Sequence, residues 1–201
     1  AYRIVARAQR AAQRGVEIAA FPELSLSGYT CGDLFLQPTL LEAAEEALGR
    51  VLRETRKLPL ALVVGMPVRH TNELYNCAVV MAQGRIMGVV PKCHIPNYNE
   101  FYEARWFSSG AEIASDTVVL AGREADFGRD LTFAVNGAEF GVEICEDLWV
   151  AAPPSSQLAL AGATTIFNLS ASPETAGKHD YLRTLVAQQS ARTLSAYVYC
   201  S

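Results

Sequence analysis

Three reactive side chains stand where apolar runs of strand type give out, the place at which loops and active sites collect in sheet-based folds. Glu23 follows the run Val16–Phe21 across Pro22. Lys92 follows Arg85–Val90 across Pro91, and Cys145 follows Glu139–Ile144 and leads into Glu146-Asp147-Leu148-Trp149. A thiol that attacks, a carboxylate that takes its proton and a cation that holds the developing oxyanion are the parts of an acyl-transfer site. At a strand-to-helix junction, backbone N–H groups and a lysine are expected to favour the Cys145 thiolate. Taken singly, each residue has a plainer reading. A strand-end Glu or Lys is ordinarily a solvated charge, and a Cys in an apolar segment is ordinarily packed core. Their shared placement after strands is what singles them out.

Other constellations point nowhere as definite. Cys93-His94 offers two metal-ligand types, but His70 and His179 are far off in sequence and no HxxxH spacing occurs, so no metal site is expected. A papain-like pair needs His94 or His179 beside Cys145, and no local signature supports it. Gly137-Ala138-Glu139-Phe140-Gly141 is hairpin-turn chemistry, and neither a phosphate-binding glycine loop nor a GxSxG elbow is present. The aromatic cluster Tyr98, Phe101, Tyr102, Trp106 and Phe107 follows closely on Lys92. It reads either as a core edge or as a wall of the same site.

The elements that must position these residues follow from periodicity. Tyr2–Arg14 reads as a helix with Ile4, Val5, Ala8 and Ala11-Ala12 on one side. Arg3, Arg7, Arg10 and Arg14 line another side, either an anion or partner surface or a solvated face. Gly15 ends the helix, Val16–Phe21 is a short strand, and Ser25–Gly28 is a loop. Leu40–Lys57 is a second amphipathic helix, and Leu60–Val64 a buried strand closed by Gly65 and Pro67. Two hairpins follow: Leu74–Ala82 with Arg85–Val90 around Gln83-Gly84, and Phe133–Val135 with Glu139–Ile144 around Asn136-Gly137. Ser155–Ala161 is a short helix, Thr164–Asn168 a strand, His179–Leu194 a helix and Ala196–Tyr199 a strand. Helices at both ends with strands and hairpins between them argue an α/β fold of layered sheets.

Composition narrows the class. The chain has 201 residues, half of them apolar, which suits one domain with a sizeable core. A net charge of −4 argues against a nucleic-acid partner. The longest apolar stretch, Leu58–Val68, contains Pro59 and Pro67 and is too short for a bilayer, and the start carries no signal-peptide pattern. Five scattered cysteines without CxxC spacing read as reduced thiols in a cytoplasmic compartment.

Phe21-Pro22-Glu23-Leu24, continuing to Gly28-Tyr29, resembles the first signature of the nitrilase-type carbon–nitrogen hydrolase superfamily. Pro91-Lys92 and Glu143-Ile144-Cys145-Glu146-Asp147 resemble its second and third, in the family's order and at comparable separations. The block from Val90-Pro91-Lys92 through Pro96-Asn97-Tyr98-Asn99-Glu100-Phe101-Tyr102-Glu103 is similar to the glutamine-amidase domain of glutamine-dependent NAD synthetases. So is Asn168-Leu169-Ser170-Ala171-Ser172-Pro173 followed by Gly177-Lys178.

The resemblance implies a nitrilase-like four-layer α-β-β-α sandwich, truncated at both ends, with residues 1–201 an incomplete amidase domain. It makes Cys145 the nucleophile, Glu23 the general base, Lys92 the oxyanion-stabilising cation and Glu100 a second, positioning glutamate. Tyr98, Ser172 and Lys178 match positions that bind the amino-acid part of glutamine, with Phe101 and Trp149 lining the pocket. The implied substrate is L-glutamine, cleaved without a cofactor. ATP and Mg would belong to a synthetase domain of the same polypeptide, absent from this chain, and a homo-oligomer is implied. The competing expectations are a free-standing amidase or nitrilase of another small amide, and a non-catalytic oligomerisation domain.

Overall fold

Residues alternating between two faces of each strand must be covered on both sides when both faces are apolar, and that requirement builds this molecule outward from its strands. The structure, a computed structural model, describes residues 1–201. Helix α1 (Tyr2–Gln13) leads to strand β1 (Ile18–Ala20), helix α2 (Pro38–Thr55) and strands β2 (Ala61–His70), β3 (Glu73–Ala82) and β4 (Arg85–Pro91). The hairpin β5 (Asp116–Leu120) and β6 (Arg123–Phe127) follows, then β7 (Thr132–Val135) and β8 (Ala138–Ile144). Helix α3 (Pro154–Leu160), β9 (Thr165–Leu169), α4 (Lys178–Thr193) and β10 (Ala196–Cys200) complete the order.

The strands form a six-stranded sheet, β1-β2-β3-β4-β6-β5, and a four-stranded sheet, β10-β9-β8-β7. Leu62, Val64, Val79 and Met81 face outward and are covered by Ile4, Val5 and Ala8 of α1 and Leu48 and Leu52 of α2. Their neighbours Val63, Ala78, Val80 and Val90 face inward against Phe140, Val142, Ile144, Phe167 and Leu169 of the second sheet. Leu158 of α3 packs on Ile166 outside that sheet. The layers therefore run α-β-β-α, the α/β sandwich expected. No helix is long and apolar enough to cross a membrane.

Two expectations fail locally. Gly65 and Pro67 do not close β2, which runs straight through them to His70. Gly65 N–H and C=O face away from β3, toward Ser25 and Leu26, so by alternation Pro67 presents its missing donor to the same side. The partner on that side, β1, pairs with β2 only as far as Val63, so no ladder bond is lost. The hairpin β5–β6 had no counterpart in the sequence reading. Only Val118, Leu120, Ala125 and Phe127 of it are buried, with exposed Val119 and Asp126 between them.

Candidate active site

The site is assembled at the ends of strands from both sheets. The turn after β1 carries Glu23, whose backbone N–H donates to Ser170 O beyond β9 at 3.3 Å. Its side chain is fully buried. Oε1 accepts from Lys92 Nζ and from Asn76 Nδ2, both at 2.7 Å, whereas the buried Oε2 has no partner. Asn76 also fixes the main chain of Lys92, whose N–H donates to Asn76 O at 2.8 Å. Lys92, fully buried, reaches a second carboxylate as well, Glu103, at 2.9 and 3.0 Å. Tyr29 donates to the same Glu103 at 2.7 Å.

Two buried carboxylates thus share one buried ammonium. Burial raises the Glu23 pKa above the usual carboxylate range and Glu103 adds to it, while Lys92 and the Asn76 hydrogen bond oppose the rise. Burial alone favours a neutral Lys92. The carboxylates Glu23 and Glu103 outweigh it, and the lysine pKa is raised well above normal.

Cys145 begins a short 3-10 turn, Cys145–Leu148, at the end of β8. Its backbone is left-handed, φ 47°, a conformation that a non-glycine residue holds only when its surroundings impose it. One side chain supplies that constraint: Asn168 Oδ1 accepts from Cys145 N at 3.1 Å, and Asn168 Nδ2 donates to Cys145 O at 3.4 Å. Asp147 folds back to accept from Ile144 N at 3.0 Å. It also accepts from His94 N at 2.8 Å, tying this turn to the segment that carries Lys92.

The lysine and a backbone N–H do favour the Cys145 thiolate, but they are outweighed. Burial and the negative charge of Glu23 push the Cys145 thiol up to about 12, against the opposing effects of Lys92, the Ser170 hydroxyl and Ala171 N–H. The resting pair is a neutral thiol beside Glu23, so the sulfur needs a base at the moment of attack.

Glu100 is not brought to the cluster. It lies exposed, and the buried carboxylate against Lys92 is that of Glu103, three residues on. Eight-residue spacing from Lys92 locates the loop but not which of its acids the 3-10 turn Glu103–Arg105 folds inward. The predicted binding residues gather on two rims. On one, Tyr98 donates to Glu146 at 2.9 Å with the Phe101 ring edge-on at 5.9 Å. On the other, Lys178 donates to Ser172 at 2.5 Å and sits 5.4 Å from the Trp149 ring, which stacks on Tyr181. Of the aromatic cluster, Phe107 belongs to a small core with Leu24, Phe35 and Leu74, and Tyr102 stays exposed.

The histidines are engaged elsewhere: His70 with Asp116 at 2.8 Å, His179 with Glu174 at 3.1 Å, His94 with Asp147 at 3.0 Å. Residues that the sequence reading left out are Asn76, Glu103, Asn168, Tyr29 and Tyr199, the last paired with Ser170 at 2.5 Å. Glu103, Tyr29 and Asn168 each had a signal, their places inside the family-like motifs, whereas Asn76 and Tyr199 had none.

The family model of carbon–nitrogen hydrolases matches residues 2–201. The chain is 47% identical over 190 residues to a glutamine-dependent NAD(+) synthetase of Mycobacterium bovis, covering 93% of this chain and 28% of that protein. With that of Aquifex aeolicus the identity is 34% over 182 residues, covering 90% and 29%. The chain therefore spans less than a third of the length of these curated relatives. The solved glutamine-dependent NAD(+) synthetase of Cytophaga hutchinsonii superposes with a TM-score of 0.86 at 31% identity, over 98% of this chain and 32% of that one. An amidase of Nesterenkonia sp. AN1 superposes at 0.75 with 17% identity, over 98% and 69%, a likeness of fold alone. By its sequence match from end to end, its four-layer fold and these relatives, the chain is a member of the carbon–nitrogen hydrolase family.

Proposed function

We propose that the chain is a cysteine-dependent glutamine amidase domain, which releases ammonia for use by a synthetase domain of the same polypeptide in amidating deamido-NAD. The observation that carries the reading is the buried Glu23–Lys92–Glu103 cluster, with one Glu23 oxygen left free, in electrostatic reach of Cys145. Its relatives at 34–47% identity, named as glutamine-dependent synthetases, support the choice of amide.

In the proposed reaction the Cys145 thiol attacks the γ-carboxamide carbon while its proton passes to the free Oε2 of Glu23. Lys92, held by two carboxylates, offers its charge to the oxyanion of the tetrahedral intermediate. Glu23 returns the proton to the leaving nitrogen, ammonia departs and a thioester remains. Water then loses a proton to Glu23 and attacks the thioester, and the thiolate leaves and takes that proton back. The raised pKa of Glu23 narrows the proton-affinity gap to a thiol near 12, as a general base requires.

Tyr98 with Glu146, and Ser172 with Lys178, supply a negative and a positive rim suited to the ammonium and carboxylate of a small amino acid. Trp149 and Phe101 give the apolar walls. The amidase chemistry uses these side chains alone, and the ATP-dependent step is assigned to the synthetase domain. The five free cysteines suit a cytoplasmic setting. The test is glutamate release from L-glutamine by the intact protein and by Cys145→Ala. Loss of release in the variant is the expected result, and equal rates overturn the assignment.

A further inference from the structure

We infer that Glu143, Tyr197 and Asn168 form a directional hydrogen-bond relay that holds the Cys145 turn in its reactive conformation, with Glu143 as a positioning residue. The inference rests on Cys145 being the nucleophile, but not on glutamine being the substrate.

Glu143 sits two residues before Cys145 on β8. Its neighbours Val142 and Ile144 face the inter-sheet core, so Glu143 faces the helix layer, almost wholly buried. None of the proposed chemistry uses it. Oε2 accepts the backbone N–H of Ser155, at the start of α3, at 2.7 Å. Oε1 accepts the hydroxyl of Tyr197 from β10. The Tyr197 oxygen receives Asn168 Nδ2 at 3.1 Å, and the same Asn168 clamps both main-chain groups of Cys145.

The relay has a direction because its far end cannot be reversed. A backbone N–H only donates, so Ser155 always demands an acceptor from Glu143. While Glu143 is ionised, its other oxygen also accepts, Tyr197 donates to it, and the tyrosine oxygen is left to accept from Asn168. That fixes the Asn168 amide with its carbonyl toward Cys145 N–H. A proton on Oε1 removes the acceptor that holds the Tyr197 hydrogen and frees the hydroxyl to turn toward Asn168. Tyr197 then donates to Asn168, the amide presents its oxygen to the tyrosine, and its NH2 meets the Cys145 N–H, donor against donor. Glu143→Gln favours the reversed state at every pH, because Ser155 keeps the new amide's oxygen on its own side and its NH2 faces Tyr197.

Burial brings the switch into the working range. It pushes the Glu143 carboxyl up to about 7, helped by the charge of Asp147 and opposed by hydrogen bonds from Tyr197 and Ser155. The groups facing it are Tyr197 from β10, Asp147 from the Cys145 turn, uncharged Ser155 from α3, which Gln189 of α4 also contacts, and, farther off, Cys93 and His94.

The test is the rate at which iodoacetamide alkylates Cys145 in the intact protein, followed by peptide mass mapping from about pH 5 to about pH 9. Wild type, Glu143→Gln and Tyr197→Phe are compared. Dividing the wild-type rate by that of Glu143→Gln cancels the ionisation of Glu23, which both share. The ratio is expected near one at low pH, rising through about pH 7 to about tenfold. The ratio of wild type to Tyr197→Phe is expected to rise through the same pH, and it decides the matter if Glu143→Gln does not fold. In glutamate release, kcat is expected to fall with KM changed less than about twofold. A ratio flat with pH marks a merely structural role and overturns the relay, as does a wild-type pH step surviving in Tyr197→Phe. If glutamine is the wrong substrate, no variant releases glutamate while the alkylation step remains.

Discussion

Gly65 lies in the middle of β2 with the Glu23 turn pressed against it, and adding one methyl group there tests how the general base is placed. A Cβ built on Gly65 falls 2.8 Å from both the Glu23 carbonyl carbon and the Pro22 carbonyl oxygen, and nearer still to Leu24 N. All three are backbone atoms, so no flexible side-chain end can swing aside. Ordinary contact begins at 3.4 Å, and the turn must therefore retreat by roughly 1 Å. Glu23 cannot follow freely, because Oε1 is held by Asn76 and Lys92 and its N–H by Ser170. Overpacking of this kind costs about 1–3 kcal/mol of stability. A misplacement near 1 Å of a reacting group costs up to about 100-fold in kcat. Glutamate release and thermal unfolding of Gly65→Ala measure the two effects. Gly49→Ala in α2 is the matched control, since its Cβ meets only Arg53 Nη1 at 3.4 Å and Ala121 Cβ at 3.6 Å. There alanine is expected to gain up to about 1 kcal/mol from helix propensity. If Gly65→Ala keeps kcat within about twofold and melts with the wild type, the strand does not position the base in this way.

Two further outcomes follow from the buried carboxylates. Glu103→Gln removes a charge that raises the Glu23 pKa, so the acid limb of the kcat profile moves to lower pH and kcat falls by about 100-fold, whereas exposed Glu100→Gln stays near wild type. Steady-state pH profiles of both variants check this, and equal losses refute it. Glu143 holds its proton to about pH 7 in the fold against an ordinary value of 4.5. Its raised folded pKa stabilises fully below the unfolded value, and the contribution is lost as pH rises through the folded one. Between about pH 5 and about pH 8, wild type should therefore lose up to about 3 kcal/mol relative to Glu143→Gln in urea unfolding. A constant difference refutes the shift.

The elements with a strong period were legible from the residues alone: both hairpins around Gln83-Gly84 and Asn136-Gly137, and helices α1, α2 and α4, match to within a few residues. β5–β6 escaped because each strand is only five residues long and β6 alternates Glu124 and Asp126 with Ala125 and Phe127. Gly65 and Pro67 misled because breaker residues interrupt a strand only where their edge needs a ladder partner, and that edge is set by the distant turn at Glu23. Glu23, Lys92 and Cys145 could be picked out because a reactive side chain after a strand is a local feature. Asn76 could not, since it matters only through the partner the fold brings to it. Glu103, Asn168 and Glu143 show the intermediate case, where the segment was legible and the residue's part in it was not.

Glu23 and Lys92 hang from one sheet, and Cys145 from the other. No covalent path shorter than about a hundred residues joins base to nucleophile, so the gap between them is set by a few hydrogen bonds across the sheets and by what fills the space between them. Val63, Val80, Val142 and Phe167 thus act as spacers as well as core. In this molecule the interlayer packing is a shim, and its thickness is a kinetic parameter.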